Sequence, residues 1–171
     1  MTHSNPTAQI RPATDRDSHA IAAIYNHYIE KTVVTFEETP IEGAEIGARI
    51  AKVRSCNLPW LVAEEDGQVS GYAYASPWHP RAAYRRTAEV SVYLAPDATG
   101  RGLGSLLYQE LLQTLRAKNV HVAIGGVTLP NPASEALHQK FGMQKVAHYR
   151  EVGRKFGKWL DVGYWQTILD A

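Results

Sequence analysis

Apolar positions recur along this chain with two periods, and the switches between them mark out its elements. Ile21, Ile24, Tyr25, Tyr28 and Ile29 fall at i, i+3, i+4, i+7 and i+8, one face of a helix capped by Thr14. Thr39-Pro40-Ile41-Glu42 reads as a capping box with Pro at the first helical position, and Ile46, Ile50 and Val53 then share a face. Ahead of both, Ile10-Arg11-Pro12 reads as a short strand after a flexible tail over residues 1–9. The period then shortens. Trp60–Glu64 and Val69–Ser76 are strands around an Asp66-Gly67 hairpin turn, and a loop, Pro77–Arg86, leads to a strand over Thr87–Leu94. Gly100–Gly104 opens a helix with Leu103, Leu106, Leu107, Leu111 and Leu115 turned inward. Val120–Val127 is a continuous apolar run, as in a central strand covered on both faces. Asn131-Pro132 caps a short helix that runs to Phe141 and ends at Gly142, and strands near Gln144–Val152 and Trp159–Leu169 follow. The order β-α-α-β-β-β-α-β-α-β-β is that of one mixed α/β domain over residues 10–171.

Composition agrees with one domain: 171 residues, 44% of them hydrophobic, suffice for a proper core. The net charge of +1 is too balanced for a general nucleic-acid binder, but it hides an asymmetry. Residues 1–70 carry 6 basic and 10 acidic side chains, and residues 71–171 carry 12 and 7, so a polyanionic small molecule would prefer the second part. The single cysteine, Cys56, excludes an internal disulfide and a Cys-rich zinc site, and the seven histidines form no His-Glu-x-x-His or other ligand pattern, so no metal is expected. Without a long apolar run or an apolar leader, a soluble cytoplasmic protein without membrane contacts is expected.

Three features carry chemistry. Thr99-Gly100-Arg101-Gly102-Leu103-Gly104-Ser105 joins a strand to an amphipathic helix, where glycines let successive N–H groups face one concavity and the helix N-terminus adds partial positive charge. That suits a pyrophosphate, although Gly-rich connections are also common in ordinary α/β turns. No Lys stands nearby for a P-loop, and the dinucleotide spacing and its distant acidic residue are missing. Glu89 lies in a strand ten residues before this loop, and alternation puts Glu89, Ser91 and Tyr93 on one face, Val90, Val92 and Leu94 on the other. An exposed Glu on a half-covered strand is the usual finding, yet this strand feeds directly into the loop. Asn131 and His138, two helical turns apart, project from one side of their helix; a cap and a structural histidine would also account for them.

The loop resembles the acyl-CoA loop of the GNAT acetyltransferase superfamily, Gln/Arg-x-x-Gly-x-Gly/Ala, with Thr99 in place of the usual Gln or Arg. The segment from Asn131 to Met143 resembles the superfamily's Asn-x-x-Ser/Ala-x-x-Leu-Tyr-x-x-x-Gly-Phe, with His138 where many members carry a Tyr that protonates the leaving thiolate. Tyr25–Ile29, Thr32–Glu37, Gly71–Ala73, Arg81–Tyr84, Glu89, Val92-Tyr93 and Gly153–Asp161 narrow the resemblance to the phosphinothricin and methionine sulfoximine acetyltransferase branch, over essentially the whole chain.

That resemblance implies a GNAT-like fold, with a mostly antiparallel sheet flanked by helices. It implies acetyl transfer from acetyl-CoA to the α-amine of a small amino acid or analogue, in a homodimer. By motif, Val92, Tyr93, Leu94, Gly100, Arg101, Gly102, Leu103, Gly104, Ser105 and Asn131 would hold acetyl-CoA. His79, Pro80, Arg81, Glu89, Val90 and Ser91 would line the acceptor site. Glu89 then suits the base that removes a proton from the ammonium, and His138 the acid for the thiolate, the two roles being exchangeable. A backbone N–H of Val92–Leu94 suits the oxyanion, and Arg81, Arg85 or Arg86 the acceptor's carboxylate. Transfer to another amine (polyamine, aminoglycoside or protein N-terminus) and a non-catalytic acyl-CoA-binding module are the competing readings.

Overall fold

The structure, a computed structural model, describes residues 8–169; most of the expected tail over residues 1–9 lies outside them. Seven strands form one sheet in the order β1-β2-β3-β4-β5-β7-β6. These are β1 (Gln9–Pro12), β2 (Trp60–Glu65), β3 (Gln68–Pro77), β4 (Thr87–Leu94), β5 (Val122–Leu129), β6 (Gln144–Lys155) and β7 (Lys158–Ile168). Five of the six pairings are antiparallel, and β4–β5 is parallel. The helices are α1 (Ser18–Lys31), α2 (Gly43–Ser55), α3 (Leu103–Ala117) and α4 (Pro132–Lys140). Their order along the chain is the one the periodicity predicts.

Alternation along the strands supplies a core for each face. Leu61, Ala73, Ala88, Val90, Ala123, Val127 and Trp165 pack under α3 and α4, with Leu107, Leu111 and Leu115. Val62, Tyr72 and Tyr93 pack instead with Ile21, Ile29, Ile46 and Ile50 of α1 and α2. The β2–β3 turn is the expected Asp66-Gly67, with φ of 49° and 78°, the left-handed pair a tight hairpin needs.

Local signals fail in four places. Thr14 does not start α1 directly: its N–H and hydroxyl both donate to the Asp17 carboxylate, and a 3-10 turn over Asp15–Asp17 intervenes. The helix α2 begins at Gly43, so Thr39-Pro40 lies outside it. The Asn26 amide holds Ile41 from both sides, accepting from its N–H and donating to its carbonyl, each at 2.8 Å, and the chain stays extended there. Leu106 is 46% exposed rather than inward, because the buried stripe of α3 is turned toward Tyr108 and Leu112. The last hairpin is longer than expected, turning at Phe156-Gly157 with φ of 50° and 74°.

Candidate active site

The parallel pairing of β4 with β5 covers only Thr87↔Val122, Ala88↔Ala123 and Glu89↔Ile124. Beyond Glu89 the strands part, and the β4 backbone from Val90 to Leu94 is paired only with β3. A split in a central sheet leaves one row of N–H and C=O groups free for a ligand. Val92, Tyr93 and Leu94 lie on its edge, where the Leu94 carbonyl already accepts from the Tyr28 hydroxyl at 2.7 Å, and the glycine loop follows them.

In that loop Gly100 and Gly102 have φ of 73° and 83°, and Gly102 is the N-cap of α3. Left-handed backbone at both positions is a conformation open to glycine at little cost. Leu103 is buried, so only its backbone can serve a ligand. A Cβ on Gly104 would stand 3.7 Å from Leu94 and 3.8 Å from Leu137, so the cradle, the end of β4 and α4 converge. Lys140, at the end of α4, donates to the Ser105 hydroxyl at 2.8 Å and brings a cation to the cradle. The expected side chains are otherwise engaged. Arg101 is ion-paired to Glu65 at 2.6 Å, and the Thr99 hydroxyl donates to the Pro96 carbonyl. Asn131 caps α4, its Oδ1 accepting the Ser134 N–H at 3.1 Å.

Glu89 and His138 stand on opposite faces at the mouth of the split. Glu89 shares the α1/α2 face with Ser91 and Tyr93, as alternation predicts, while Val90 packs in the α3 core and can offer only its backbone. Burial raises the Glu89 carboxyl above its ordinary range, and the charge of nearby His79 works against that rise. His138 lies on the α3/α4 face, 4% exposed, between Tyr108 and Trp165 and directly over Gly125, where no Cβ would fit. Its Nδ1 is 2.6 Å from the Ser134 carbonyl. A carbonyl can only accept, so Nδ1 carries the proton and Nε2 is the titrating atom. Burial lowers the imidazole pKa, so the neutral ring prevails at pH 7.

Beside Glu89 a cavity of about 810 Å³ opens under α2. Ser76, directly opposite Glu89 in the β3–β4 register, and Tyr74, opposite Ser91, both line it, as do His79, Pro80 and Arg81. Directly opposed residues share a face, so Glu89 stands next to the wall of this space without itself lining it. Arg81 and Arg85 contribute to its wall. Arg86 does not; its Nε donates to the Asn119 carbonyl at 2.9 Å. Arg49 lines the cavity too, but Glu37 and Glu45 engage its guanidinium. Three contributors escaped the sequence reading. Lys140 is joined to Ser105 only by the fold, and Tyr164 reaches Glu89 only through the β5–β7 pairing. Gly125-Gly126 did carry a signal, because adjacent glycines inside a strand mark a close approach.

The split central sheet, the glycine turn at the end of β4 and the Glu89 carboxyl at its mouth all meet along one strand, and similarity to known proteins gives the class of protein that carries that arrangement. The chain belongs to the acetyltransferase (GNAT) family, whose pattern matches residues 21–143. A phosphinothricin N-acetyltransferase of Alcaligenes faecalis is 42% identical over 163 residues, spanning 95% of this chain and 83% of the relative. An L-methionine sulfoximine/L-methionine sulfone acetyltransferase of Pseudomonas paraeruginosa is 38% identical over 165 residues, 96% of each chain. The crystal structure of a phosphinothricin acetyltransferase from Sinorhizobium meliloti, in complex with acetyl-CoA, superposes with a TM-score of 0.92 at 36% identity, over 95% of this chain and 89% of that one.

Proposed function

We propose that this protein transfers the acetyl group of acetyl-CoA to the α-amine of a small amino acid or analogue, of the phosphinothricin, methionine sulfoximine or methionine sulfone type. The observation that carries the reading is the parting of β4 from β5 one residue past Glu89, with the glycine cradle at the far end of the same strand. The cradle residues Gly100–Ser105, with Lys140 beside them, hold the pyrophosphate through backbone N–H groups and one cation. The β4 edge over Val92–Leu94 binds the rest of the carrier and offers an N–H to the oxyanion of the tetrahedral intermediate. Glu89 takes a proton from the bound ammonium, directly or through water, freeing the lone pair that attacks the thioester carbonyl. The C–S bond then breaks and the thiolate leaves. His138 can protonate it only from Nε2 of the imidazolium, so its help as an acid is confined to pH below its lowered pKa. Arg81 or Arg85 neutralises the acceptor's carboxylate, since an unpaired charge in a cleft is costly.

A second copy completes the assembly. Strand β6 is an unpaired sheet edge on which Val146, Tyr149 and Val152 are each more than half exposed, as are Phe156 and Trp159 at the adjoining turn. Long apolar edges of this kind are normally covered. Light scattering after gel filtration reads a dimer if two copies meet there, and a monomer refutes it.

Thiol release from acetyl-CoA tests the reaction, with phosphinothricin, methionine sulfoximine, methionine sulfone, ordinary amino acids, spermidine, an aminoglycoside and a short peptide as acceptors. Turnover confined to the α-amino acids and their analogues is expected. Preference for spermidine, the aminoglycoside or the peptide would overturn the substrate class, and turnover of none would leave an acyl-CoA-binding module.

A further inference from the structure

Strand β5 carries two adjacent glycines, and only one of them is covered. Gly125 lies beneath His138. Gly126 is exposed on the other face, although Ile124, Gly125 and Val127 around it are all buried. Glycine weakens the interior of a strand and commonly marks a point where a ligand comes close to the backbone. The space above Gly126 has defined walls. A Cβ there would stand 3.1 Å from Cε1 of Tyr164 and 3.4 Å from Oε1 of Glu89. Tyr164 is paired directly with Gly126 across β5 and β7, and its ring is braced edge-on by Trp78 and Tyr149 at centroid distances of 5.5 and 5.7 Å. Burial and the charge on Glu89 raise the Tyr164 hydroxyl pKa, so the wall is a neutral phenol beside a carboxylate.

We propose that Gly126 and Tyr164 determine acceptor specificity, by seating the branched carbon that bears the reacting amine against the Tyr164 ring while Glu89 receives its proton. This rests on the amino-acid acetylation proposed above and gives its class a physical limit. An α-carbon carrying a carboxylate and a side chain fits where β5 has no side chain, and a further α-substituent meets the ring. Trp78 and Tyr149, packed edge-on against that ring, limit its movement.

Steady-state kinetics on Gly126→Ala test the seat, with methionine sulfone as acceptor and acetyl-CoA affinity measured by calorimetry. One methyl group in a fitted pocket changes discrimination by about 10–200-fold. The acceptor KM should therefore rise at least about tenfold, with acetyl-CoA affinity unchanged. Adding Tyr164→Ala makes room again, so the double variant should recover much of that loss. An acceptor KM within about twofold of wild type, a loss that falls on acetyl-CoA instead, or a double variant with no recovery would overturn the proposal. Should Gly126→Ala fail to fold, Tyr164→Ala alone decides: its turnover of α-methyl methionine sulfone relative to methionine sulfone should rise about tenfold, and an unchanged ratio refutes the seat. The wild-type acceptor panel is read separately. If it shows only some other amine, the substrate class fails, and the seat is judged by the KM for that amine in Gly126→Ala.

Discussion

Glu89→Gln removes a charge and a proton acceptor while keeping the shape of the side chain. A positioned base contributes about 10²–10⁴-fold, so kcat should fall by that factor, about 2.7–5.4 kcal/mol on the barrier. Stability should move the other way. Burial raises the Glu89 pKa above its ordinary 4.5, so the folded state binds this proton more tightly than the unfolded chain does. Stability therefore falls as pH climbs from the ordinary value through the raised one, and the deficit is complete above it. Gln carries no such deficit. The variant should melt at or above the wild-type temperature at neutral pH, and that advantage should vanish in acid, below the ordinary carboxylate pKa. The same ionisation gives wild-type kcat an ascending limb with an apparent pKa above 4.5, and the limb should be missing from the variant. Thiol release at saturating substrates across the pH range, with thermal melts in acid and at neutral pH, measures all three, and calorimetry reads acetyl-CoA binding beside them. Near-wild-type kcat in the variant would refute Glu89 as the base. A lower melting temperature at neutral pH, together with lost acetyl-CoA binding, would make it a structural residue.

Gly102→Val should abolish acetyl-CoA binding by calorimetry. No atom lies within 4 Å of the added Cβ, so the loss comes from a β-branched residue at φ of 83° and from the displaced N–H cradle. Arg81→Ala should raise the KM for methionine sulfoximine with little change in kcat, because a carboxylate clamp holds ground and transition states alike; a selective effect in Arg85→Ala instead would move the clamp to that residue. His138→Phe should slow turnover progressively more as the pH falls below the ordinary imidazole pKa of about 6.5 and least at pH 8. A constant slowing across that range would leave His138 a packing role over Gly125. Lys155→Met, at a lysine 2% exposed whose ammonium donates to the Thr35 carbonyl at 2.8 Å, should cost about 1–3 kcal/mol in denaturant unfolding by leaving that carbonyl unpaired.

What the sequence revealed is what short-range physics controls. The strand over Thr87–Leu94, the Asp66-Gly67 turn and the Asn131 cap each follow from alternation, backbone freedom or one side-chain acceptor, and each stands where local reasoning puts it. The errors lie where distant groups override local preference. Thr39-Pro40 has every mark of a helix start, but the Asn26 amide, one turn before the end of α1, claims both backbone groups of Ile41 and delays the helix. Leu106 fits a helical stripe until the sheet beneath α3 selects Tyr108 and Leu112 in its place. The site divides in the same way. Glu89, His138 and the glycine loop are local motifs, whereas Tyr164 and Lys140 join it only when β7 pairs with β5 and α4 reaches Ser105.

The split sheet also separates the two proton transfers of the proposed reaction. The proton lost by the acceptor arrives at Glu89 on the α1/α2 face, where exposed Gly126 and the neighbouring cavity give a path to water. Any proton given to the departing sulfur from His138 comes from the opposite face, where the ring is sealed by Tyr108 and Trp165. The sheet between them makes a shuttle from Glu89 to His138 unnecessary, and the two groups need not be matched in pKa. Burial moves both in the directions that suit pH 7 unequally. A raised carboxyl is a stronger base once ionised, but a lowered imidazole is largely unprotonated and so a poor source of acid. A thiol pKa of about 8.5 makes thiolate a fair leaving group near neutrality, so the removal of the ammonium proton is the step for which this fold is better equipped. Adjacent glycines make that arrangement possible: one lets the Nε2 edge of the imidazole come down onto the strand, and the other leaves the carboxylate a clear approach to the amine.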